Sequence, residues 1–115
     1  MHELSIALSI IDEIGDETEA RGLNGVEVIH LKVGVFSGID RDALLFAWGL
    51  ACEGTPLEHS RLDIEIIPLV IHCAVCDQNR TPPSVYQLCC PACNTPSETI
   101  VTGRELEVVS LEVAA

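Results

Sequence analysis

Residues 73–93 read CAVCDQNRTPPSVYQLCCPAC, and the two cysteine pairs in this stretch decide how the second half of the chain folds. Cys73 and Cys76 form the first pair, and Cys90 and Cys93 form the second. Two intervening residues let both thiolates of a turn point at one ion, and two such turns close a tetrahedral four-sulfur site. A stretch with so little apolar periodicity cannot fold around its own core, whereas metal ligation contributes on the order of 10–16 kcal/mol in small zinc peptides. The four cysteines therefore predict a structural Zn²⁺ site.

Two choices at this site stay open from the sequence. Iron could occupy the same four sulfurs, as in rubredoxin, although nothing else in the sequence indicates electron transfer. Cys89 directly precedes Cys90, and we take Cys90 as the ligand because it preserves the spacing of two residues. Cys52 falls on the apolar side of a predicted helix and is expected to be a small core residue.

Composition and charge exclude several classes of protein. The chain has 115 residues, 48% of them hydrophobic, which excludes intrinsic disorder and allows one compact core. Eighteen acidic and six basic residues give a formal net charge of −12, so the chain offers little basic surface to nucleic acid or to an anionic membrane. The sequence has neither an apolar run of about 18 residues nor a basic signal region, so we expect no membrane insertion. Because cysteines of unexported chains hold metal more often than they form disulfides, we expect a cytoplasmic protein.

The spacing of apolar residues predicts an α+β fold of two helices on a three-stranded sheet. The predicted elements are a helix over 4–21, a strand over 26–35, a helix from about 40, a strand over 62–66 and a strand over 104–113. A four-cysteine zinc-knuckle domain is inserted between the second and third strands. We predict a helix–sheet domain made of residues 1–71 and 99–115, and a zinc domain over 72–98.

The amino terminus is a second candidate metal site. It reads Met1-His2-Glu3 and enters the first helix at once. The α-amine, a backbone amide nitrogen and the imidazole form fused chelate rings, a geometry that suits square-planar Ni²⁺ or Cu²⁺. Taken alone, this signal is weak, because many histidines near a terminus are unliganded surface residues.

Three features in one order strengthen that hypothesis. Met-His-Glu-Leu opens the first helix, KVGVFSG at 32–38 is followed by ALLFA at 43–47, and the cysteine pairs come late in the chain. In these features the sequence resembles the HypA/HybF family of hydrogenase-maturation nickel metallochaperones. The resemblance covers essentially the whole chain.

The resemblance implies a function and a set of site residues. It implies that Ni²⁺ binds at the amino terminus as transported cargo, with His2 as the essential ligand, the Met1 amine as a further ligand and Glu3 influencing either the site or the docking of a partner. The residues that match the family's structural zinc ligands are Cys73, Cys76, Cys90 and Cys93. It further implies a HypB-type GTPase partner and delivery to the [NiFe]-hydrogenase large subunit precursor, with urease maturation proteins as additional partners in some organisms.

One rival function comes from a different class. A zinc-ribbon adaptor that only docks proteins would carry the same cysteines without nickel cargo. His72, His30 and His59 are weak ligand candidates that are more simply explained as surface polar residues. No nucleophile–base arrangement or glycine-rich phosphate loop is present, so we expect no enzymatic activity.

Overall fold

The computed structural model describes residues 2–114, with His2 described by its backbone alone. This part of the chain forms two α-helices, six strands and one 3₁₀ turn. In chain order they are α1 (His2–Arg21), β1 (Val26–Gly34), the 3₁₀ turn (Val35–Ser37), α2 (Arg41–Cys52), β2 (Arg61–Ile67), β3 (Val70–Cys73), β4 (Gln78–Arg80), β5 (Ile100–Thr102) and β6 (Leu106–Val113). The predicted α+β fold class is confirmed.

Capping residues mark the end of α1 and the start of α2. At the end of α1, Gly22 takes a φ of 64°, and the Leu23 N–H donates to the Thr18 carbonyl at 2.9 Å. Glycine adopts this left-handed conformation without steric cost, and such a residue commonly ends a helix. At the start of α2, the Asp40 carboxylate accepts a hydrogen bond from the Ala43 N–H at 2.9 Å. Neither helix of residues 2–114 is long and apolar enough to cross a membrane.

The first sheet has the strand order β2-β1-β6 and corresponds to the three strands predicted from the sequence. The Ala114 N–H donates to the Gly25 carbonyl, and the Gly34 N–H donates to the Glu105 carbonyl, each at 2.8 Å. The residue just before β1 thus pairs with the residue just after β6, and the last residue of β1 pairs with the residue before β6. The two strands therefore run antiparallel. The strand predicted over 26–35 ends one residue earlier, at Gly34, and Val35 begins the 3₁₀ turn with 48% of its surface exposed.

The described core beneath this sheet is aliphatic except for Trp48 and Cys52. Trp48 is 3% exposed, and its indole N–H donates to the Ser60 hydroxyl at 3.3 Å. The Ser60 hydroxyl in turn donates to the Leu57 carbonyl at 2.6 Å, so the polar edge of the indole is satisfied within a turn. Cys52 is 1% exposed, as expected of a core residue, and burial raises the pKa of its thiol.

A second, smaller sheet was not predicted from the sequence. Its strand order is β4-β3-β5, with β3 antiparallel to both neighbours and Cys73 opposite Gln78 in the β3–β4 pair. These strands have only three or four residues each, which is too short for an alternating pattern to be recognised. No alternating apolar pattern in the sequence therefore marks the three strands of this sheet.

The described residues divide into two compact units. The first contains the residues up to Leu31, Ile39–Glu65 and those from Glu107 onward. The second contains Lys32–Gly38 and Ile66–Leu106, and the four predicted zinc ligands all lie in it. The predicted domain boundaries lie between residues 71 and 72 and between residues 98 and 99. They concern which segments fold independently, and they stay a prediction.

Substituting Gly34 tests whether close backbone packing is the reason that position 34 of the KVGVFSG motif requires glycine. A Cβ at Gly34 would lie 2.0 Å from the Gly103 carbonyl oxygen, a backbone atom that no side-chain rotation can move. The φ of Gly34 is −76°, so lack of space and not backbone conformation excludes a larger residue. We expect Gly34→Ala to lower the free energy of unfolding by at least about 2 kcal/mol, measured by urea denaturation.

Gly49→Ala is the matched control. Gly49 lies within α2, and a Cβ there would meet nothing within 4 Å. Because alanine is the better helix former, this variant should be unchanged or more stable by up to about 1 kcal/mol. Equal stability of Gly34→Ala and the wild type would contradict the packing argument.

Candidate metal centre

Each cysteine pair lies in a turn that ends in a left-handed residue. Asp77 follows the first pair with a φ of 52°, and Asn94 follows the second with a φ of 63°. Aspartate and asparagine tolerate this conformation better than most residues with a side chain. The Asn94 N–H donates to the Cys90 carbonyl at 2.7 Å, which closes the second turn. In the first turn the Cys76 N–H also donates to Cys73 Sγ at 3.4 Å.

These turns bring together the four cysteines predicted as zinc ligands. The Sγ atoms of Cys73, Cys76, Cys90 and Cys93 all lie within 4.8 Å of one another. The Cys73–Cys93 Sγ distance is 3.6 Å and the Cys76–Cys90 Sγ distance is 3.9 Å. A tetrahedral ion with bonds of about 2.3 Å to sulfur sets its ligands about 3.8 Å apart, so the cluster fits Zn²⁺.

Cys89 does not join this cluster. Among the described residues, the one group with metal-ligating spacing contains Cys90 and not its neighbour. Cys89 instead forms an isolated backbone bridge with Pro96, which lies beyond the second turn. This arrangement supports the choice of Cys90, whereas binding of zinc by these four residues stays a prediction.

Hydrogen bonds prepare one of the sulfurs to ionise. The Thr95 hydroxyl lies 3.1 Å from Cys93 Sγ, and this contact together with the Thr95 backbone N–H lowers the pKa of Cys93 to about 6. A hydrogen bond to the Cys93 sulfur raises the pKa of Cys76 to about 11. Four thiolates at this spacing repel one another, so ionisation of the whole set requires a cation between them. The chemistry of the donor set thus fits a bound divalent metal.

Arg80 is a residue of this site that sequence reasoning missed. Hydrogen bonds to Cys76 and then to Cys90 raise the pKa of its guanidinium, so it lies beside two of the four sulfurs. It is the only lysine or arginine between Arg61 and Arg104. Arg80 lies opposite Ile71 in the antiparallel β3–β4 pair, and this pairing returns the chain toward the cysteines. No local sequence motif marks Arg80, because its position depends on that pairing.

The three other histidines lie outside the sulfur cluster. His72 Nδ1 lies 3.0 Å from Asn79 Oδ1, and its Nε2 lies 3.4 Å from Asp77 Oδ1. His30 lies between two carboxylates, 3.2 Å from Asp63 and 2.5 Å from Glu112. His59 is almost fully exposed. None of them joins a group with metal-ligating spacing in the described part of the chain.

Glu3 is the one member of the predicted nickel site whose side chain is described. Its carboxylate accepts a hydrogen bond from the Asp40 backbone N–H at 3.3 Å, just before α2 begins. A carboxylate at the start of a helix is stabilised by the positive end of the helix dipole. Met1 and the side chain of His2 lie outside the described residues, so the nickel ligand set stays a prediction.

Comparison with known proteins identifies the family. The family described as "Hydrogenase/urease nickel incorporation, metallochaperone, hypA" matches residues 1–113 of this chain. The chain belongs to the HypA family. A hydrogenase maturation factor HypA from a Roseiflexus species is 47% identical over 113 residues, which cover 97% of this chain and 91% of that relative. A second, from Chloroflexus aurantiacus, is 41% identical over 112 residues and covers 97% and 98%.

Solved structures share the fold. The solution structure of the nickel metallochaperone HypA from Helicobacter pylori superimposes with a TM-score of 0.70 at 22% identity, covering 98% of this chain and 97% of that one. A second HypA solution structure gives a TM-score of 0.72 at 23% identity. The family is one of nickel-incorporating metallochaperones for hydrogenase and urease, and the resemblance inferred from the sequence is confirmed.

Separate alanine substitutions of Cys90 and Cys89 test which of these two cysteines binds zinc. Cys90→Ala removes one of the four clustered sulfurs, so we expect loss of bound zinc and unfolding within residues 72–98. Cys89→Ala is the matched control and should keep one zinc per chain, measured by elemental analysis. Zinc loss from the Cys89 variant together with retention in the Cys90 variant would show that the ligand register is shifted by one residue.

Replacing Arg80 tests its role beside the sulfurs. Arg80→Gln removes a charge-assisted hydrogen bond from a cluster whose four thiolates and one Zn²⁺ would carry a net negative charge, so zinc should pass to a competing chelator about tenfold faster. The control is Arg104→Gln, because the Arg104 guanidinium lies over the Phe36 ring, 5.8 Å from the ring centre. Equal transfer rates in the two variants would contradict this role.

Proposed function

We propose that this chain binds Ni²⁺ at its amino terminus and delivers it, together with a HypB-type GTPase, to the [NiFe]-hydrogenase large subunit precursor. The observation that carries the proposal is the match to the nickel-incorporation family over residues 1–113, which includes the Met-His-Glu opening. Urease maturation proteins are further candidate partners, because the family description names urease beside hydrogenase. We place this activity in the cytoplasm, and it requires no catalytic step.

The proposed nickel ligands are the Met1 α-amine, the His2 imidazole and Glu3. Amine, backbone amide and imidazole form fused chelate rings of the kind that suits square-planar Ni²⁺. The position of the Glu3 carboxylate near the start of α2 supports a site at this end of the helix. A carrier must release its cargo, and a site of few ligands at a chain terminus is easier to open than a closed cage.

The second metal in this proposal is a structural Zn²⁺ held by the four clustered cysteines. The sulfur spacing supports it, and so does the scarcity of other buried side chains in the fully described stretch 72–98, where Pro82 is the only one besides Cys73 and Cys90. When bound, the ion supplies the cross-link that holds the two cysteine turns together. A zinc-ribbon adaptor without nickel cargo is the alternative function, and it predicts no nickel affinity at the amino terminus.

A nickel titration tests the proposal. Calorimetry on the zinc-loaded protein should give one high-affinity Ni²⁺ site that weakens as the pH falls through about 6.5, because protons compete for the His2 imidazole. His2→Ala should abolish this binding and leave zinc bound. His59→Ala is the matched control and should bind nickel as the wild type does, because His59 is 95% exposed and contacts only Glu58 among the described charged groups.

An added residue before Met1 tests the amine separately. The extension moves the α-amine out of the chelate ring without changing any side chain, so nickel affinity should fall. Undiminished affinity in His2→Ala would overturn the mechanism and favour the adaptor. Loss in His2→Ala with full affinity in the extended protein would remove the amine from the ligand set.

A further inference from the structure

A groove of about 510 Å³ lies between α1 and the edge strand β6, within the first compact unit. Its apolar lining includes Ile14 and Leu23 on one side and Val109 and Leu111 on the other. Val109 is 53% exposed and Leu23 is 39% exposed, so apolar surface is open to an incoming chain. Nothing in the proposed nickel or zinc chemistry uses this groove.

The backbone beside the groove is the unpaired side of β6. In the order β2-β1-β6, both β2 and β6 are edge strands, but their sequences differ. β2 alternates Arg61, Asp63 and Glu65 with apolar residues and is followed closely by Pro68, which are features that block edge-to-edge pairing. Residues 108–111 of β6 read Val-Val-Ser-Leu, with no charge and no proline. The edge next to the groove is therefore the one suited to accept another strand.

The charge around the groove indicates the chemistry of the occupant. Glu13 and Glu17 line it from α1, and its only base, Arg21, is already paired with Glu17 at 2.7 Å. Glu107 and Glu112 flank the uncharged part of β6, although Glu112 is already paired with His30. A chain that adds to this edge thus meets apolar surface bordered by acids, which fits alternating apolar and basic side chains.

A second copy of the chain fits this edge poorly. Each copy carries a formal charge of −12, so two copies repel one another. Antiparallel pairing of two β6 strands centred on Val109 and Ser110 would place Glu107 of one copy opposite Glu112 of the other. Like charges directly opposite in a sheet are destabilising.

We propose that the α1–β6 groove binds an extended basic segment of a partner protein, which adds to β6 as a fourth strand of the first sheet. Main-chain hydrogen bonds to β6 supply affinity, and the side chains that face α1 supply selectivity through the apolar lining and the two glutamates. The proposal stands apart from the nickel function, because the groove would bind the segment with or without cargo at the amino terminus.

The test uses the full-length zinc-loaded protein and a synthetic peptide of alternating valine and lysine, about eight residues long, blocked at both ends. Amide NMR shifts should change saturably along residues 106–113 and along the groove side of α1. A peptide of alternating valine and glutamate should not bind. A valine–lysine peptide that is N-methylated along one edge keeps its charge but loses main-chain donors, and it should bind much more weakly.

Two charge-matched double variants separate the groove from the overall negative charge. Glu13→Lys with Glu17→Lys should weaken binding of the valine–lysine peptide roughly three- to tenfold. Glu53→Lys with Glu65→Lys changes the net charge equally at exposed positions away from the groove and should have little effect. Equal weakening in both variants, equal binding of the N-methylated peptide, or a stable dimer that already protects the β6 amides without peptide would overturn the proposal.

Discussion

The spacing of four sulfur atoms is the constraint on which the second half of this structure depends. Within residues 72–98 the buried side chains are Cys73, Pro82 and Cys90, and both cysteines belong to the cluster. The short strands β3, β4 and β5 have too few residues to bury an apolar face of their own. The turns at Asp77 and Asn94, the donors of Thr95 and the guanidinium of Arg80 all serve to hold sulfurs that would otherwise repel one another.

The proposed function assigns two metals to sites of opposite character. Zinc would be enclosed by four soft thiolates and retained, whereas nickel would be held by nitrogen and oxygen donors at a terminus and released. This division follows from ligand chemistry, since a cage of four thiolates offers no open position for transfer. It would also let one small chain carry a structural ion and a cargo ion without exchanging them.

The sequence predicted the parts of the fold that have long periodic patterns. The helix α1, the strand β1 and the cysteine pairs follow from apolar spacing and ligand spacing, both of which are local signals. The second sheet could not be predicted, because its strands are too short to show alternation. The contact of Glu3 with the start of α2 joins residues distant in sequence, and the contact of Arg80 with the cluster depends on how the β3–β4 hairpin folds, so no local pattern encodes either. Gly34 was visible as part of a motif, but the close approach of Gly103 that requires it was not.

X-ray absorption at both metal edges tests the central claim, that the two metals occupy chemically separate sites. The measurement uses the full chain loaded with one zinc and one nickel. The account predicts four sulfur neighbours at about 2.3 Å around zinc, and only nitrogen and oxygen neighbours around nickel. Sulfur around nickel, or nitrogen and oxygen in place of sulfur around zinc, would contradict it.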